Sequence, residues 1–253
     1  MKQMTSAIVL VCGFALAMPL AAQAQAPTSA GQNRMTVNVN IGLQTGSRDA
    51  TDSGSSPLYE ETMTFTGARH IGSGAFFDIS GDYLVWKSLS FGIGYSRFGR
   101  TGDESYTAVV PHPIFFDQPR VVTGVLTGLK HTESAVHILA VWRIPATPKI
   151  DLAIMLGPSF YSCHHDVLAN VSVTEGAAPY TTVTVTPTTA EVSKSAVGAI
   201  IGVDGTYRIV RHAGVGAFAR WSGAHVKLPL PSGQELAFSL GGFQAGAGVR
   251  LFF

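Results

Sequence analysis

The chemically capable residues of this chain are eight histidines, two cysteines, and a few acids and arginines set among apolar neighbours. Cys163, His164, His165 and Asp166 are consecutive, and thiolate, imidazole and carboxylate together make a donor set that zinc accepts. Adjacent histidines on a strand point to opposite faces, so both reach one ion only from a loop. With no second ligand cluster at a familiar spacing, an exposed loop is the expected setting and a metal site the alternative. No histidine has a serine two positions later, and no nucleophile stands beside a base in the pattern that activates one. No catalytic residue, metal ligand or cofactor is therefore assigned, and enzymatic activity is not expected.

A second feature is the stretch VVPHPIFFDQPR. Pro111, Pro113 and Pro119 fix its backbone, and His112, Phe115 and Phe116 stand between them. Either the segment packs back over its own neighbours as a cap, or it offers a small apolar ligand or a partner its aromatic side chains. A third set is inward-facing and charged: Asp78, Asp82, Arg143, Asp151, Asp204, Arg220 and Arg250, with His137. Counting across turns sets Arg143 opposite Asp151 and makes Asp204 and Arg220 diagonal neighbours. Ion pairing is what a low-dielectric interior demands of buried charge. His137 is expected to join Glu133 in the same network.

The elements that must hold these residues alternate with period two. In GGFQAGAGVRLFF, Phe243, Ala245, Ala247, Val249, Leu251 and Phe253 share one face, while Gln244, Gly246, Gly248 and Arg250 share the other. Met35 to Leu43 alternates as cleanly, and is the expected partner of that last strand. Between them the same pattern predicts strands starting near Phe77, Leu89, Val136, Ile150, Val197 and Val215, eight in all. A three-residue turn over Trp86, Lys87 and Ser88 is expected to pair Val85 with Leu89. Connections alternate long and short, with polar or irregular stretches at 47–74, 99–133 and 162–195. Thr62 to Gly67 reads as a strand extension, and the third stretch as an extended hairpin. Outward aromatics gather at strand ends: Phe77, Tyr95, Trp221 and Phe243 at one, Trp142, Tyr207 and Phe253 at the other.

Composition agrees with apolar residues on an outer wall. Charged residues make up 13% and hydrophobic ones 46%, against roughly 25% charged in soluble domains. Residues 1–24 read as a cleaved export signal, with Lys2, an apolar run from Ala7 to Leu20, and Ala22-Gln23-Ala24 as the cleavage site. Residues 25–34 form a tail and 35–253 the barrel domain. Cys12 leaves with the signal, so Cys163 has no disulfide partner. Lys2 leaves too, and the 16 basic residues that remain of 17 equal the 16 acidic ones. Such a balance excludes nucleic acid as a partner. The expected fold is all-β: an eight-stranded antiparallel up-and-down transmembrane β-barrel with short periplasmic turns and long extracellular loops.

YLVWKSLSFGIGYSRF and the closing FQAGAGVRLFF resemble the outer-membrane β-barrel domain group, related in fold to the transmembrane part of outer-membrane protein A, and VPHPIFFDQPR is similar to a stretch in bacterial members of that group. The resemblance implies a Gram-negative outer membrane and contact with its lipids, including lipopolysaccharide. It also implies insertion by the barrel-assembly machinery through the last strand, with Phe243, Val249, Leu251 and Phe253 as the signal read. It implies no catalytic residue, and no cell-wall tether is expected after Phe253. A structural or surface-interaction role is expected first. A narrow barrel binding or transporting small apolar ligands is the alternative, and a lipid-modifying hydrolase the more distant one.

Overall fold

The computed structural model describes residues 33–253 except 232 and 234; the expected export signal and most of the tail lie outside them. Ten antiparallel strands follow in order: β1 (Met35–Thr45), β2 (Arg48–Leu58), β3 (Glu61–Ile71), β4 (Gly74–Trp86), β5 (Leu89–Val110), β6 (Arg120–Pro145), β7 (Ile150–Glu175), β8 (Val183–Val210), β9 (Ala213–Pro229) and β10 (Glu235–Phe252). Eight of them close a ring. β1 pairs with both β4 and β10, and the circuit runs on through β5, β6, β7, β8 and β9. Closure matters physically because it leaves no edge of unpaired N–H and C=O groups. Val39 opposes Val249 and Ile41 opposes Ala247, so the last strand meets the first in the expected partnership.

The ring turns its apolar residues outward. Ile41, Leu43, Val85, Ile93, Val197 and Ile201 are all more than half exposed, an arrangement that water penalises by about 25 cal/mol per Å² and hydrocarbon does not. Tracing one register row around the wall, Tyr95, Val136, Phe160 and Val197 are mutual neighbours. One step further up each strand the row reads Arg97, Ser134, Ser162 and Ser195. That change from apolar to polar marks the upper limit of the lipid-facing belt. The outward aromatics expected at both ends, among them Trp221, Phe243, Trp142 and Tyr207, are exposed there. The fold is thus the antiparallel transmembrane barrel that the alternation predicts.

Above the belt the stretches expected as long loops are mostly strand. β5 and β6 pair out to Val110 and Arg120, and β7 and β8 out to Glu175 and Val183. The polar segment after β1 becomes a full hairpin of β2 and β3, whose Thr64–Arg69 joins the upper part of β5. These hairpins form a head. Met63, Phe65, Tyr106, Ala108, Val110, Leu168, Val171 and Val185 pack together as its core.

Three readings of the register need correction. β4 and β5 meet through a two-residue turn, Lys87 and Ser88, with Trp86 opposite Leu89 and a bulge after Leu84. Val85 is the residue the bulge leaves without a partner, and a positive φ of 45° at Lys87 closes the tighter turn. Arg143 faces Ala153 rather than Asp151, which lies opposite Pro145; the strand runs to Pro145 and the pairing slips by two. Cys163, His164 and His165 sit within β7, not in an exposed loop. Cys163 and His165 are buried while His164 is exposed, as alternation on a strand requires.

Candidate functional site

The lumen is filled, and many of its polar side chains form a connected run along the barrel. Arg250 on β10 donates to Asp204 Oδ2 on β8 at 2.5 Å and to Asn40 Oδ1 on β1 at 2.5 Å. Gly216 makes room for it: a Cβ there would stand 2.8 Å from Arg250 Nε. Asn40 donates onward to Asp78 Oδ1 at 2.7 Å, and Asp78 Oδ2 lies 2.8 Å from Arg220 Nη2. Arg220 Nε donates to Gln244 Oε1 at 2.6 Å, Gln244 Nε2 to Gln44 Oε1 at 2.7 Å, and Gln44 Nε2 to Glu133 Oε2 at 3.1 Å. Glu133 then binds Arg48 through Oε1, accepts from the Gly241 N–H at 2.8 Å, and meets His131 Nε2 at 2.8 Å. His131 Nδ1 ends the run 3.0 Å from His165 Nδ1.

Aromatic groups seal the gaps. Phe76 and Phe218 meet edge to face at 5.9 Å, and the Arg220 guanidinium lies 5.4 and 5.1 Å from their ring centres. Leu139, Val141 and Ile200 form a further apolar cluster on the inward side. Towards the short turns, Arg143 pairs with Asp82 and donates to Thr36 Oγ1 at 2.5 Å. Asp151 pairs with Arg208 at 2.6 Å, whose guanidinium also covers the Phe252 ring.

Of the eight residues expected to face the lumen, Asp78, Asp82, His137, Arg220 and Arg250 are buried and Arg143, Asp151 and Asp204 half-buried, and their partners differ from those expected. Asp204 and Arg220 are diagonal in register, yet each reaches across the lumen to another strand. Sheet neighbours were the wrong guide because long side chains in a narrow barrel span its diameter. His137 does not meet Glu133; it lies between Ser159 Oγ at 2.7 Å and Ser96 Oγ at 2.9 Å. A serine beside an imidazole is half of a nucleophilic pair. No carboxylate orients this one and it is fully enclosed, so the contact serves packing.

Arg48, Gln44, His131 and Arg208 were not singled out from sequence, and Glu133 only as a partner for His137. Extending the inward alternation of the fourth predicted strand back from His137 reaches Ala135, Glu133 and His131. The outward residues there, Ser134 and Thr132, are polar, so the apolar signal ends before the strand does. Burial pushes the Glu133 carboxyl up, but His131 and Arg48 outweigh it and hold the group below the usual carboxylate range. Burial, with His131 and Arg69 nearby, lowers His165 to about 3, and burial raises Cys163 to about 12. An un-ionised, enclosed thiol is a weak metal ligand. No group of three or more His, Cys, Asp or Glu suited to a metal ion occurs among the described residues.

At the outer tip, the Pro-rich stretch divides into a part that packs back on its neighbours and a part that stays exposed. His112 is buried, and its Nδ1 accepts from the N–H groups of Ile114 and Phe115, each at 3.2 Å. Arg120 anchors the turn by donating to Pro111 O at 2.6 Å and to Glu175 Oε1 at 2.8 Å. Ile114, Phe115 and Phe116 remain 57%, 51% and 68% exposed.

A closed antiparallel barrel with an apolar outer wall, a polar packed lumen and a β-structured head is a membrane-spanning barrel by construction. No family model and no curated protein matches the chain. Among solved structures, it is similar to the outer membrane protein OprG from Pseudomonas aeruginosa, at 7% identity, TM-score 0.48, over 88% of this chain and 97% of that one. It is also similar to Neisserial surface protein A, at 12% identity, TM-score 0.40, over 87% and 97%. The outer membrane protease OmpT from Escherichia coli aligns at 10% identity, TM-score 0.42, over 86% and 97%. The fold assignment rests on this chain's own strand pairing and exposure.

Proposed function

We propose that the protein is exported by its first 24 residues to a Gram-negative outer membrane, where it acts as a non-conducting barrel that carries a rigid head for surface interaction. One observation carries this reading: the polar run from Asp204 to His165 occupies the lumen, and the head core lies beyond it. An eight-stranded ring leaves space for side chains and little else. In this reading the charges serve stability, and contact with outer-membrane lipids falls to the apolar belt. The assembly machinery engages the last strand through Phe243, Val249, Leu251 and Phe253, whose outward, exposed side chains support that role. Ile114, Phe115 and Phe116 favour a second reading for the tip, a contact for a small apolar ligand or an apolar partner, because exposed aromatics held by an anchored turn are otherwise costly. Planar-bilayer recording tests the main reading. The reconstituted full chain should give no steady conductance above background, and large, stable channel currents would refute it.

A further inference from the structure

The outer wall of the barrel has a groove of about 790 Å³ between β1, β4 and β5, open along its length. Its walls are Ile41, Leu43, Phe77 and Tyr95, and small residues, Ala75 and Gly99, lower it locally. One charged side chain lines it. Arg97 lies directly opposite Phe77 in register, and Phe77 directly opposite Ile41, so a guanidinium shares a row with two large exposed apolar groups. On its other side that row continues as Ser134, Ser162 and Ser195. Arg97 is exposed, and among the described residues it makes no hydrogen bond or ion pair. The arginines of the lumen, by contrast, are engaged. Arg220, Arg48 and Arg143 all have acids, and Arg100, close above on the same strand, donates to Ser73 O at 2.6 Å.

An arginine at the edge of hydrocarbon can only reach upward for a counter-charge. Its planar fork fits the paired oxygens of a phosphate better than an ammonium does. Apolar walls below the fork suit an acyl chain. We propose that this groove binds an outer-leaflet lipid bearing a phosphate monoester, with the phosphate on Arg97 and an acyl chain lying against Ile41, Phe77 and Tyr95. The proposal rests on the outer-membrane reading above and adds to it a single defined lipid position.

The test uses the full chain folded in dodecyl maltoside, with folding scored by heat-modifiable migration. Lipid A carrying two phosphates and the same acylated disaccharide without phosphate are titrated in, and bound lipid is counted by native mass spectrometry. One phosphorylated lipid per barrel should bind, roughly tenfold or more tightly than the phosphate-free form, the size expected for a charge-assisted bidentate contact. Arg97→Gln should lose that preference, and Ala75→Trp, which fills the groove without touching the charge, should weaken binding of both lipids. Lys130→Gln should change neither. Equal binding by Arg97→Gln and the parent, displacement by inorganic phosphate at matching concentration, or an undiminished Ala75→Trp overturns the groove. A chain that yields no heat-modifiable folded form overturns the outer-membrane reading itself, and is told apart from those results by the gel.

Discussion

Glu104→Gln should stabilise the head at neutral and alkaline pH and flatten its pH dependence. Glu104 on β5 lies opposite Arg69 on β3, and Asp52 on β2 lies opposite Gly67. The Glu104 carboxylate leans over Gly67: its Oε1 occupies the place a Cβ would take there, 1.8 Å from the ideal position. That brings two buried carboxyl groups together at the centre of the head. Arg69 faces them, but it donates to Leu129 O at 2.7 Å and Asp166 O at 3.3 Å, and its Nε has no partner. Both Glu104 oxygens and Asp52 Oδ1 also lack partners, while Asp52 Oδ2 accepts from Leu168 N at 3.2 Å. His165 and Asp103 are the other titratable groups nearby; Asp166 turns its carboxylate to Lys130 N. Burial, then Asp52, raises Glu104 from 4.5 to about 7, and burial raises Asp52 from 3.8 to about 6.

A raised carboxyl means that the open head ionises first. Well below the ordinary carboxyl range both forms are protonated and nothing is lost; between about 4 and 7 stability falls, through Asp52 and then Glu104, and above that it stays low. The rise at Glu104 alone corresponds to about 3 kcal/mol at about 1.4 kcal/mol per tenfold change. Gln keeps the shape, cannot ionise, and places an N–H beside the free Asp52 oxygen. Amide hydrogen exchange over Thr64–Arg69 and Glu104–Val109 reads the effect directly. After correction for intrinsic exchange, protection at pH 8 should rise roughly 100-fold in the variant and become nearly independent of pH from about 6.5 to 8, the fall below that belonging to Asp52. Unchanged protection at pH 8, or a pH dependence that persists above about pH 6.5, would show that the two acids are not the strained pair inferred.

Two further outcomes are expected. Arg220→Met leaves Asp78 buried without its cation and should lower barrel stability by about 3–5 kcal/mol, seen as a fall in the urea midpoint of heat-modifiable folding; adding Asp78→Asn should recover part of it, and an unmoved midpoint in the single variant would deny the pair a structural role. Phe115→Ala with Phe116→Ala should leave that midpoint within about 0.5 kcal/mol of the parent, as for surface positions, while reducing uptake or capture of small apolar ligands; unchanged uptake removes the second reading of the tip.

The ring was legible in the sequence because one signal encodes it twice. Each strand's alternation names its lipid face, and closure is forced by a last strand that is as apolar as the first. The lumen was legible in membership and not in pairing. Asp78, Asp82, Arg220 and Arg250 are inward by parity, yet parity says nothing of which residue lies across the barrel, which depends on ring diameter and strand tilt. The head was legible least. Above the belt both strand faces meet protein or water, so Thr132, Ser134 and Ser162 carry no apolar alternation and the signal stops before the strands do. Cys163-His164-His165 looks like a loop cluster for that reason, although it belongs to a strand that runs on to Glu175.

The same change of solvent explains where the useful chemistry lies. Within the belt, every inward charge must be matched at once, since water is absent on one side and the lumen is packed on the other. Residues such as Arg250, 1% exposed and bonded to Asp204 and Asn40, have no capacity left for a ligand. Departures from that rule occur only where the protein leaves the belt: Arg97 on the outer wall, the Asp52 and Glu104 pair in the head, and the aromatic tip around Phe116. A barrel whose lumen arginines are paired with acids, and whose Arg97 and aromatic tip stand at or above the membrane surface, fits the proposed reading of contact from outside, by lipid at its rim and by a partner at its tip.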